Sequence, residues 1–532
     1  MPRFVSADYR APGAGLANAL RPHLVRPDEF SSIQNMWLRS GNLVKRGGSV
    51  QQGDAPDAAV QRWMGLAYDT AGSSIRNRLR YINGKIQYLS GASWTNLVTG
   101  LTATTYPVAV QYKDTIYWCD GTSTPQAITI ASPPTIANWT TMPSGINPGW
   151  VVLHENRLYI GNDTSDPQQV WMCDPGTPAT FQATEFYQVP DNQNGNFPKI
   201  AVNCGKGFLM LCQDFMVYLT GNGPLSHRLW HYPRGAACIA WRSAVDMGDF
   251  GVVYLTERGL FVTDGTSPPE PLDRSGKNNW GDINLTTETD THGVRYGDVY
   301  VLFYRSKGDT AAAATQTARG RFSTVVAANS RYSQASSAAQ TSHWIAYDCR
   351  LHQFVGMGTG AYSCAAWEQY RSGDTQDLWV GSATTNGETY KWDQAGTWQD
   401  DGAPIECIVK TGAVAPDTFQ LYTVDEVQVK CQSVKSGECG LEVRVYFDGL
   451  SRESEAAWKK DVSIGSEGPQ GADNSSLEPM RNLSGSVVRN VLPDMEDAHL
   501  KGTDPQVEIR QVSNTEFEFN GLSVKTTPAR EE

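Results

Sequence analysis

The chain has 532 residues, of which 40 % are hydrophobic, and a formal net charge of −12 at pH 7. That length suffices for two or three domains with sizeable cores, and 50 glycines and 28 prolines suit an all-β chain with many turns. Steady binding to nucleic acid depends on Lys and Arg neutralising phosphates, so 56 acidic residues against 44 basic ones argue against it.

The N-terminal part, residues 1–58, is expected to be an arm followed by a ring-closing segment. Residues 1–25 are rich in Ala, Pro and Arg and lack periodicity, which favours an extended arm. Residues 26–48 have apolar side chains spaced for a short helix or an irregular packed segment, and Leu43 and Val44 then form a strand-like run. The simplest interpretation is a strand that closes a propeller ring and so removes a sheet edge.

The middle of the chain, residues 59–402, repeats one unit of two short apolar runs joined by a turn. In the clearest copy, Gly251 to Gly265, two such runs flank a Thr-Glu-Arg-Gly turn, which is typical of a β-hairpin. The runs are too short for helices and almost unbroken in apolarity, so both faces of each hairpin should be buried. Further copies span residues 81–91, 108–121, 151–161, 208–221 and 378–393, with two half-units at 299–303 and 344–355.

This repetition predicts an irregular β-propeller of about six blades. One hairpin cannot bury both of its faces alone, so neighbouring copies must cover it and the repeat becomes the fold. The copies are unevenly spaced, and the Gly-His and Trp-Asp pairs of a regular WD40 repeat do not recur.

Two clusters of cationic and aromatic side chains are candidates for contact with a partner. The first surrounds Gly47, where the cations are expected to be solvated or ion-paired. The second lies in the long connection 223–240, where two His and two Arg near a Trp could also bind an anion. Trp and Arg dominate subunit contacts, which favours a loop packed at an interface. The candidates are Trp37, Arg39, Lys45, Arg46, Arg228, Trp230, His231 and Arg234.

Composition sets two further regions apart. Residues 307–343 are dominated by Ala, Ser, Thr and Gln and are expected to be an exposed insertion within a blade. From residue 403 to residue 532 the strands alternate apolar and polar side chains, which predicts a C-terminal antiparallel β-sandwich-like domain. Within it, residues 448–500 are polar and rich in Gly, Ser and Asp and are expected to form a long loop.

The sequence contains no motif for catalysis, cofactor binding or metal binding. The ten cysteines form no CxxC pair and are expected to be buried free thiols in a chain that folds in a reducing cytoplasm. Nucleophile-elbow, P-loop and calcium-loop patterns are absent. The N-terminus lacks the apolar core of a signal peptide, and no apolar run reaches about 18 residues. We therefore expect no enzymatic activity, no cofactor and no membrane insertion.

Several loose motifs follow one another in a recognisable order. Asn35 and the run GNLVKRGG, Gly41 to Gly48, precede the first hairpin, and NGKIQYLSG, HENRLYIGN and FMVYLTGNG follow. Asp400-Asp401-Gly402 then opens the C-terminal part, which ends in FEFNGLSVKT. This order resembles that of tail hub and nozzle proteins of double-stranded-DNA tailed phages, of the short-tailed type. In those proteins an Asn and a G-x-L-x-K-R-x-G-like run precede a propeller.

The resemblance implies a nozzle in the virion tail, made in the cytoplasm of a bacterial host, through which the genome leaves. The implied partners are further copies of the chain in a homohexamer, an adaptor or head-to-tail connector protein, and tail fibre or needle proteins. Double-stranded DNA would pass through only transiently. A net acidic lumen suits that passage, because a wall that DNA slides past should not bind it.

Two other interpretations stay open. A glycan-binding or glycan-cleaving propeller needs paired carboxylates across a central pocket, which this composition allows. Its sialidase-type Ser-x-Asp-x-Gly-x-Thr-Trp box has one near match, Asp393 to Trp398, with one residue too many. A host scaffold propeller that binds peptides would have more regular repeats than this chain.

Overall fold

The structure is a computed structural model of the chain. It describes residues 5–10, 15–17, 24–26, 29–39, 42–69, 75–143, 145–189, 197–221, 223, 226–232, 238–273, 280, 283–284, 291–307, 343–369, 376–384, 386–400, 402–413, 422–432, 439–447, 458–464, 480–481, 487–491, 501–502, 505–511 and 517–528. Within these ranges the regular elements are β-strands and two 3₁₀ turns, Trp241–Ser243 and Gly248–Phe250, with no α-helix.

Six short strands precede the first blade. They are β1 (Val5–Arg10), β2 (Gly15–Leu16), β3 (Glu29–Gln34), β4 (Met36–Arg39), β5 (Asn42–Lys45) and β6 (Gly48–Gln51). The short helix or irregular packed segment considered for residues 26–48 is therefore wrong. All of these strands except β2, which pairs with β3, have a partner far away in sequence, for example β3 with residues 408–411 and β4 with residues 356–357. Such long-range pairing overrides the local apolar spacing.

The strands of the propeller follow in chain order. They are β7 (Gln61–Tyr68), β8 (Arg76–Ile82), β9 (Lys85–Ser90), β10 (Ser93–Val98), β11 (Val108–Tyr112), β12 (Thr115–Cys119), β13 (Gln126–Thr129), β14 (Thr135–Asn138), β15 (Trp150–His154), β16 (Arg157–Gly161), β17 (Gln169–Asp174), β18 (Thr177–Gln188), β19 (Ile200–Cys204), β20 (Gly207–Leu211), β21 (Met216–Thr220), β22 (Arg228–Tyr232), β23 (Val245–Asp246), β24 (Val252–Thr256), β25 (Gly259–Thr263), β26 (Glu270–Pro271), β27 (His292–Tyr296), β28 (Val299–Tyr304), β29 (His343–Asp348), β30 (Gln353–Thr359), β31 (Tyr362–Gln369), β32 (Gln376–Ser382) and β33 (Thr389–Gln394).

These strands form a closed ring of blades, so the predicted β-propeller is confirmed. Blades 1 to 6 are consecutive groups of four strands, β7–β10 through β27–β30, and blade 7 consists of β31–β33 and β6. The innermost strands β7, β11, β15, β19, β23, β27 and β31 contact one another in sequence, and β31 contacts β7. The ring has seven blades where the sequence suggested about six. Each hairpin predicted from the sequence is a pair of adjacent antiparallel strands.

The N-terminal part closes the ring through β6, whereas the strand-like run at Leu43 and Val44, expected to do so from the sequence, lies in β5 and pairs with β44 of the sandwich. Strand β6 pairs with β33, Val50 opposite Lys391, and supplies the outer strand of blade 7. The blade thus combines strands from the two ends of the propeller sequence. A break between blades 7 and 1 would expose the apolar faces of both, so this pairing holds the ring together.

The C-terminal strands form the second part of the molecule. They are β34 (Gln399–Asp400), β35 (Ala403–Pro404), β36 (Cys407–Thr411), β37 (Tyr422–Gln432), β38 (Cys439–Tyr446), β39 (Trp458–Ile464), β40 (Met480–Arg481), β41 (Val487–Val491), β42 (Lys501–Gly502), β43 (Gln506–Gln511) and β44 (Glu518–Pro528). One sheet has the order β2-β3-β36-β43-β38-β39, and the other contains β4-β5-β44-β37-β41-β40.

These two sheets bury alternate side chains between them, which confirms the predicted antiparallel sandwich. Val427 and Val429 of one sheet and Leu441, Val443 and Val445 of the other belong to one buried cluster. Strands β2 to β5 come from the N-terminal part, so the sandwich is built from both ends of the chain. The sequence pattern after residue 402 indicated only the strands of the sandwich that the C-terminal part contributes.

One continuous sheet joins the propeller to the sandwich. The outer strand of blade 6, β30, pairs with β4, which leads through β5 to β44 and β37. The largest buried cluster accordingly contains Tyr300 and Leu302 of blade 6 together with Val427 and Leu522 of the sandwich. Propeller and sandwich therefore share one core.

The predictions for the two segments of unusual composition, residues 307–343 and 448–500, compare differently with the structure. Residues 308–342 of the predicted insertion lie outside the described residues, but β28 and β29 pair on either side of them within blade 6. The long loop expected at residues 448–500 is wrong in part, because it contains β39, β40 and β41. Trp458, Val462 and Ile464 alternate along β39, and pairing with β38 fixes this polar stretch as a strand.

Candidate interaction surfaces

The motif-like N-terminal run forms a buried junction between the propeller and the sandwich. Arg46 donates hydrogen bonds from Nη1 to Asp400 Oδ1 over 3.0 Å and from Nε to Asn35 Oδ1 over 3.2 Å, and its Nη2 forms an ion pair with Asp400. Asn35 Nδ2 in turn donates to the Glu406 carbonyl over 2.8 Å. Burial lowers the pKa of the Arg46 guanidinium, but the Asp400 carboxylate outweighs burial and the net pKa is raised. Arg46 therefore stays charged inside the protein.

The two glycines after Arg46 are required by close approach of neighbouring backbone. A Cβ on Gly47 would lie 2.5 Å from the Gln394 carbonyl oxygen, and one on Gly48 would lie even closer to that of Gln399. The Gly47 amide also donates to Asp393 Oδ1 over 2.7 Å. The run thus brings its backbone directly against blade 7 and the strand that follows it.

The first cluster was predicted to contact a partner, but most of its side chains are buried in this junction. Trp37 is 3 % exposed and packs against Trp344 and Trp392, with ring centroids 5.1 and 5.8 Å apart. Lys45 is buried and donates to Gln511 Oε1 over 2.8 Å. Trp37, Lys45 and Arg46 thus have no surface to offer a partner in this conformation, because apolar cover, a hydrogen bond and an ion pair hold them inside.

Arg39 is the exception in this cluster. Its side chain is half exposed and forms an ion pair with the buried carboxylate of Asp393. Burial raises the pKa of Asp393, and Arg39, the Gly47 amide and Arg46 oppose that rise. The expectation that these cations would be solvated or ion-paired holds for Arg39 and Arg46.

The second cluster lies on the outer strand of blade 4 and is exposed. Arg228, Trp230 and His231 belong to β22, whose first four residues are exposed, and Trp230 is 53 % exposed. Leu229 between them is 37 % exposed. Arg234 lies outside the described residues. The strand therefore presents large apolar and cationic side chains together at the rim of the propeller.

The position of β22 explains why its side chains divide between two faces. It pairs with β21 so that Leu229 lies opposite Leu219 and Trp230 lies opposite Tyr218. Leu219 belongs to the cluster between blades 3 and 4, whereas Tyr218 belongs to the cluster between blades 4 and 5. Both interblade clusters end at this strand, and its own side chains extend beyond them into solvent.

His227, just before β22, is held between two tyrosines. Its Nε2 lies 2.9 Å from the Tyr159 hydroxyl, and its Nδ1 hydrogen bonds with the Tyr187 hydroxyl. Burial, with smaller contributions from Arg157 and His154, lowers the pKa of His227 to about 4. His227 is therefore neutral at pH 7 and links blade 3 to blade 4 rather than binding an anion.

Three side chains meet across the ring at one end of the innermost strands. The guanidinium of Arg62 in blade 1 lies 4.6 Å from the ring centroid of Tyr106, before β11, and that of Arg242, before β23, lies 4.1 Å from it. Arg242 also donates to the Ser363 carbonyl of blade 7 over 2.7 Å. Blades 2 and 5 are not neighbours, so this contact spans the central channel. No spacing in the sequence pointed to it, because ring closure alone brings these residues together.

The described residues contain no cluster of metal-ligating side chains. No group of three or more His, Cys, Asp or Glu side chains among them could hold a metal ion. Burial raises the pKa of the Cys204 thiol to about 12, which disfavours the thiolate. The eight cysteines whose side chains are described are free and buried, as predicted. In the described ranges, no helix has the length and apolarity needed to cross a membrane.

Comparison with known proteins gives similarity in fold. No protein-family model matches the chain, and no curated protein matches its sequence. Similar solved structures include the WD40 domain of Neurospora crassa Pan2, at 9 % identity over 68 % of this chain and 97 % of that chain, with a TM-score of 0.37. YCF48 bound to D1 peptide has 7 % identity, 66 % and 96 % coverage and a TM-score of 0.37. The WD40 β-propeller domain of Doa1 has 9 % identity, 66 % and 98 % coverage and a TM-score of 0.37. These values carry no argument about what this chain binds or does.

Proposed function

We propose that the chain is a structural component of a phage virion tail, a nozzle or hub that assembles as a homohexamer around a conduit for genome ejection. Its neighbours in the tail would be an adaptor or connector protein above and fibre or needle proteins below. The chain itself would perform no chemistry. It would be made in the bacterial cytoplasm and incorporated into the virion.

The observation that carries the proposal is the role of the run that resembles the phage proteins. Asn35, Lys45, Arg46 and the glycines after them lie where blade 6, blade 7 and the sandwich meet. Residues that fix how a propeller joins a second domain have an architectural role that requires no active site. Such a role suits a structural protein, whose function depends on a fixed arrangement of its domains.

Charge gives independent support. A net charge of −12 makes the chain a poor ligand for DNA, whose phosphates it repels at long range. A conduit benefits from this property, because bound DNA would not slide.

Mass photometry and negative-stain imaging of the purified full-length chain, alone and with its co-expressed tail neighbours, test the proposal. We expect particles of six times the 58.3 kDa chain mass that appear as rings with an open centre. Particles that stay at the mass of one chain in both preparations would contradict it.

A glycan panel tests the alternative of a glycan-active propeller. If the chain is purely structural, it should neither cleave nor retain mixed glycans above the level of a heat-killed control. Reproducible turnover that is lost when one carboxylate is changed would favour the alternative instead.

A further inference from the structure

The outer edge of blade 4 lacks the features that protect the other blades. Exposed sheet edges are normally short, bulged or covered, because their unpaired backbone groups can pair with another chain. Strands β10, β18 and β6 have register shifts, β14 and β26 have four and two residues, and β30 is covered by β4. Strand β22 has five residues in unbroken register with β21, and no described strand pairs with its other side.

The side chains of β22 are also unusual for an exposed edge. Trp230 and Leu229 are exposed on opposite faces of the strand, and they are two of the few large apolar side chains exposed in the described chain. A strand added beside β22 would place its own side chains about 5 Å from each of them, close enough to cover both faces. Large aromatic side chains of this kind contribute most to binding when they become buried.

Charge indicates what kind of segment would be added. Arg228 and His231 are the ionisable residues exposed on β22, and neither forms an ion pair with a described residue. Arg228 lies on the same face of the strand as Trp230 and is a cation on a chain of net charge −12. An acidic segment would be repelled by most of the surface and attracted here, which favours this edge over others.

We propose that β22 is a docking edge for an extended acidic segment of a partner protein, which pairs with it as a fifth strand of blade 4. Backbone hydrogen bonds along the open side of β22 supply the pairing. An acidic side chain faces Arg228, and an apolar side chain two residues away on the same face covers Trp230. This is β-strand addition, in which main-chain bonds give affinity and alternate side chains give specificity.

The inference rests on the strand and its exposed side chains, and it does not depend on the proposed tail role. Its test uses the isolated full-length chain and a synthetic peptide. Failure of that test leaves the ring proposal untouched, and absence of rings leaves the strand-addition proposal untouched.

The probe is a fluorescently labelled, end-capped heptapeptide, Glu-Glu-Val-Val-Glu-Glu-Val, in which Glu and Val alternate along each face of the strand. Its binding to full-length protein is measured by fluorescence anisotropy. Two further peptides carry N-methyl groups on the odd or on the even residues. Alternate amides of a strand point to opposite edges, so one methylated peptide should lose binding while the other retains it. A Lys and Val peptide should bind at least tenfold more weakly than the Glu and Val peptide.

Trp230→Ala should weaken binding of the Glu and Val peptide by about tenfold or more, the usual effect at a central aromatic contact. Leu351→Ala is the matched control, because Leu351 is 56 % exposed in the turn between β29 and β30, and this variant should bind as the wild type does. Melting temperatures of both variants should equal that of the wild type, since both side chains are exposed.

Three results would overturn the proposal. They are absence of binding by the Glu and Val peptide at millimolar protein, equal binding by both methylated peptides, and wild-type affinity of Trp230→Ala. Sedimentation velocity of the protein without peptide is measured in parallel. If Trp230→Ala changes its oligomeric state, the edge is a contact between copies of this chain and the partner segment is excluded.

Discussion

At the scale of single residues, Arg46 carries a full charge with 1 % of its side chain exposed. Such a charge is tolerated only when its partners satisfy it, and Asp400 and Asn35 do so in a forked arrangement. Removing the cation would leave the Asp400 carboxylate without its partner in a largely enclosed place. The stability of the junction therefore depends on this one side chain more than on any nearby surface cation.

Arg46→Met should lower the free energy of unfolding by about 3 kcal/mol, because it breaks a buried ion pair. Urea unfolding followed by fluorescence measures the change. Arg350→Met is the control, since Arg350 is exposed in the turn between β29 and β30, and it should change stability by less than about 0.5 kcal/mol.

Equal midpoints for the two variants would show that the junction does not depend on the charge. If Arg46→Met yields no folded protein, Asp400→Asn provides the second variant. It keeps the shape of the side chain and removes its charge, and it should destabilise in the same direction.

His227 should make stability depend on pH. Its pKa is about 4 in the folded chain and 6.5 ordinarily, so the unfolded chain takes up a proton at a higher pH than the folded chain does. The free energy of unfolding therefore falls as the pH falls from 6.5 towards 4. His227→Gln should reduce the drop in melting temperature between pH 7 and pH 5, as measured by calorimetry.

His352→Asn is the control for this measurement, because His352 is exposed in a turn, and its φ of 54° is one that Asn accepts. This variant should retain the wild-type drop. A wild-type drop in His227→Gln would show that burial does not keep the His227 imidazole neutral in the folded chain.

At the scale of elements, the strand β6 connects the beginning of the chain to the end of the propeller. Its first residue is Gly48, which lies against the backbone of Gln399 with no room for a Cβ. Gly48→Ala must therefore push β6 away from β34. We expect it to lower the free energy of unfolding by about 2 kcal/mol, as overpacking in a tight site does, and so to lower the melting temperature of this long chain by about 2 °C.

Gly440→Ala serves as its control, because a Cβ there meets no atom within 4 Å. Thermal unfolding followed by circular dichroism should show little change for this variant. Similar melting temperatures for both variants would indicate that β6 does not lie closely against β34 in solution.

The sequence predicted the hairpins, whose partners are local, and a ring-closing N-terminal segment, but it did not indicate which residues of distant segments meet. The hairpin of Val252–Thr256 and Gly259–Thr263 was recognisable because its two apolar runs are adjacent. By contrast, Gly47 contacts Asp393, which is 346 residues later in the sequence, and the residues around Gly47 gave no indication of this partner. Trp37, Lys45 and Arg46 are buried because segments distant in sequence pack against them. Residue type alone therefore suggested, wrongly, that these side chains lie at the surface. The exposure of Arg228, Trp230 and His231 agrees with the cluster seen in the sequence.

At the scale of the whole molecule, the propeller and the sandwich share a sheet and a core. Leu255 of blade 5 and Leu302 of blade 6 lie in the same buried cluster as Val427 and Leu522 of the sandwich. Removing the sandwich would expose these side chains, leave β5 without its partner β44 and leave β3 without its partner β36. The two parts should therefore depend on each other for folding.

We expect the full chain to unfold in a single calorimetric transition, because its parts share one core. A chain ending at residue 402 should aggregate or melt at least about 10 °C lower. Two separated transitions in the full chain, or wild-type melting of the shortened chain, would show that the propeller folds independently. The control is a chain ending at residue 528, which retains every described strand.

The measurement that tests the nozzle account most directly is a cryo-electron microscopy reconstruction of the full-length protein with its co-expressed tail neighbours. The account predicts six copies around one axis, each with seven blades joined through β4 and β5 to the sandwich. It also predicts an open axial channel wide enough for duplex DNA, with no DNA retained in it. Single copies in both the presence and the absence of the neighbours, or a closed axis, would contradict it.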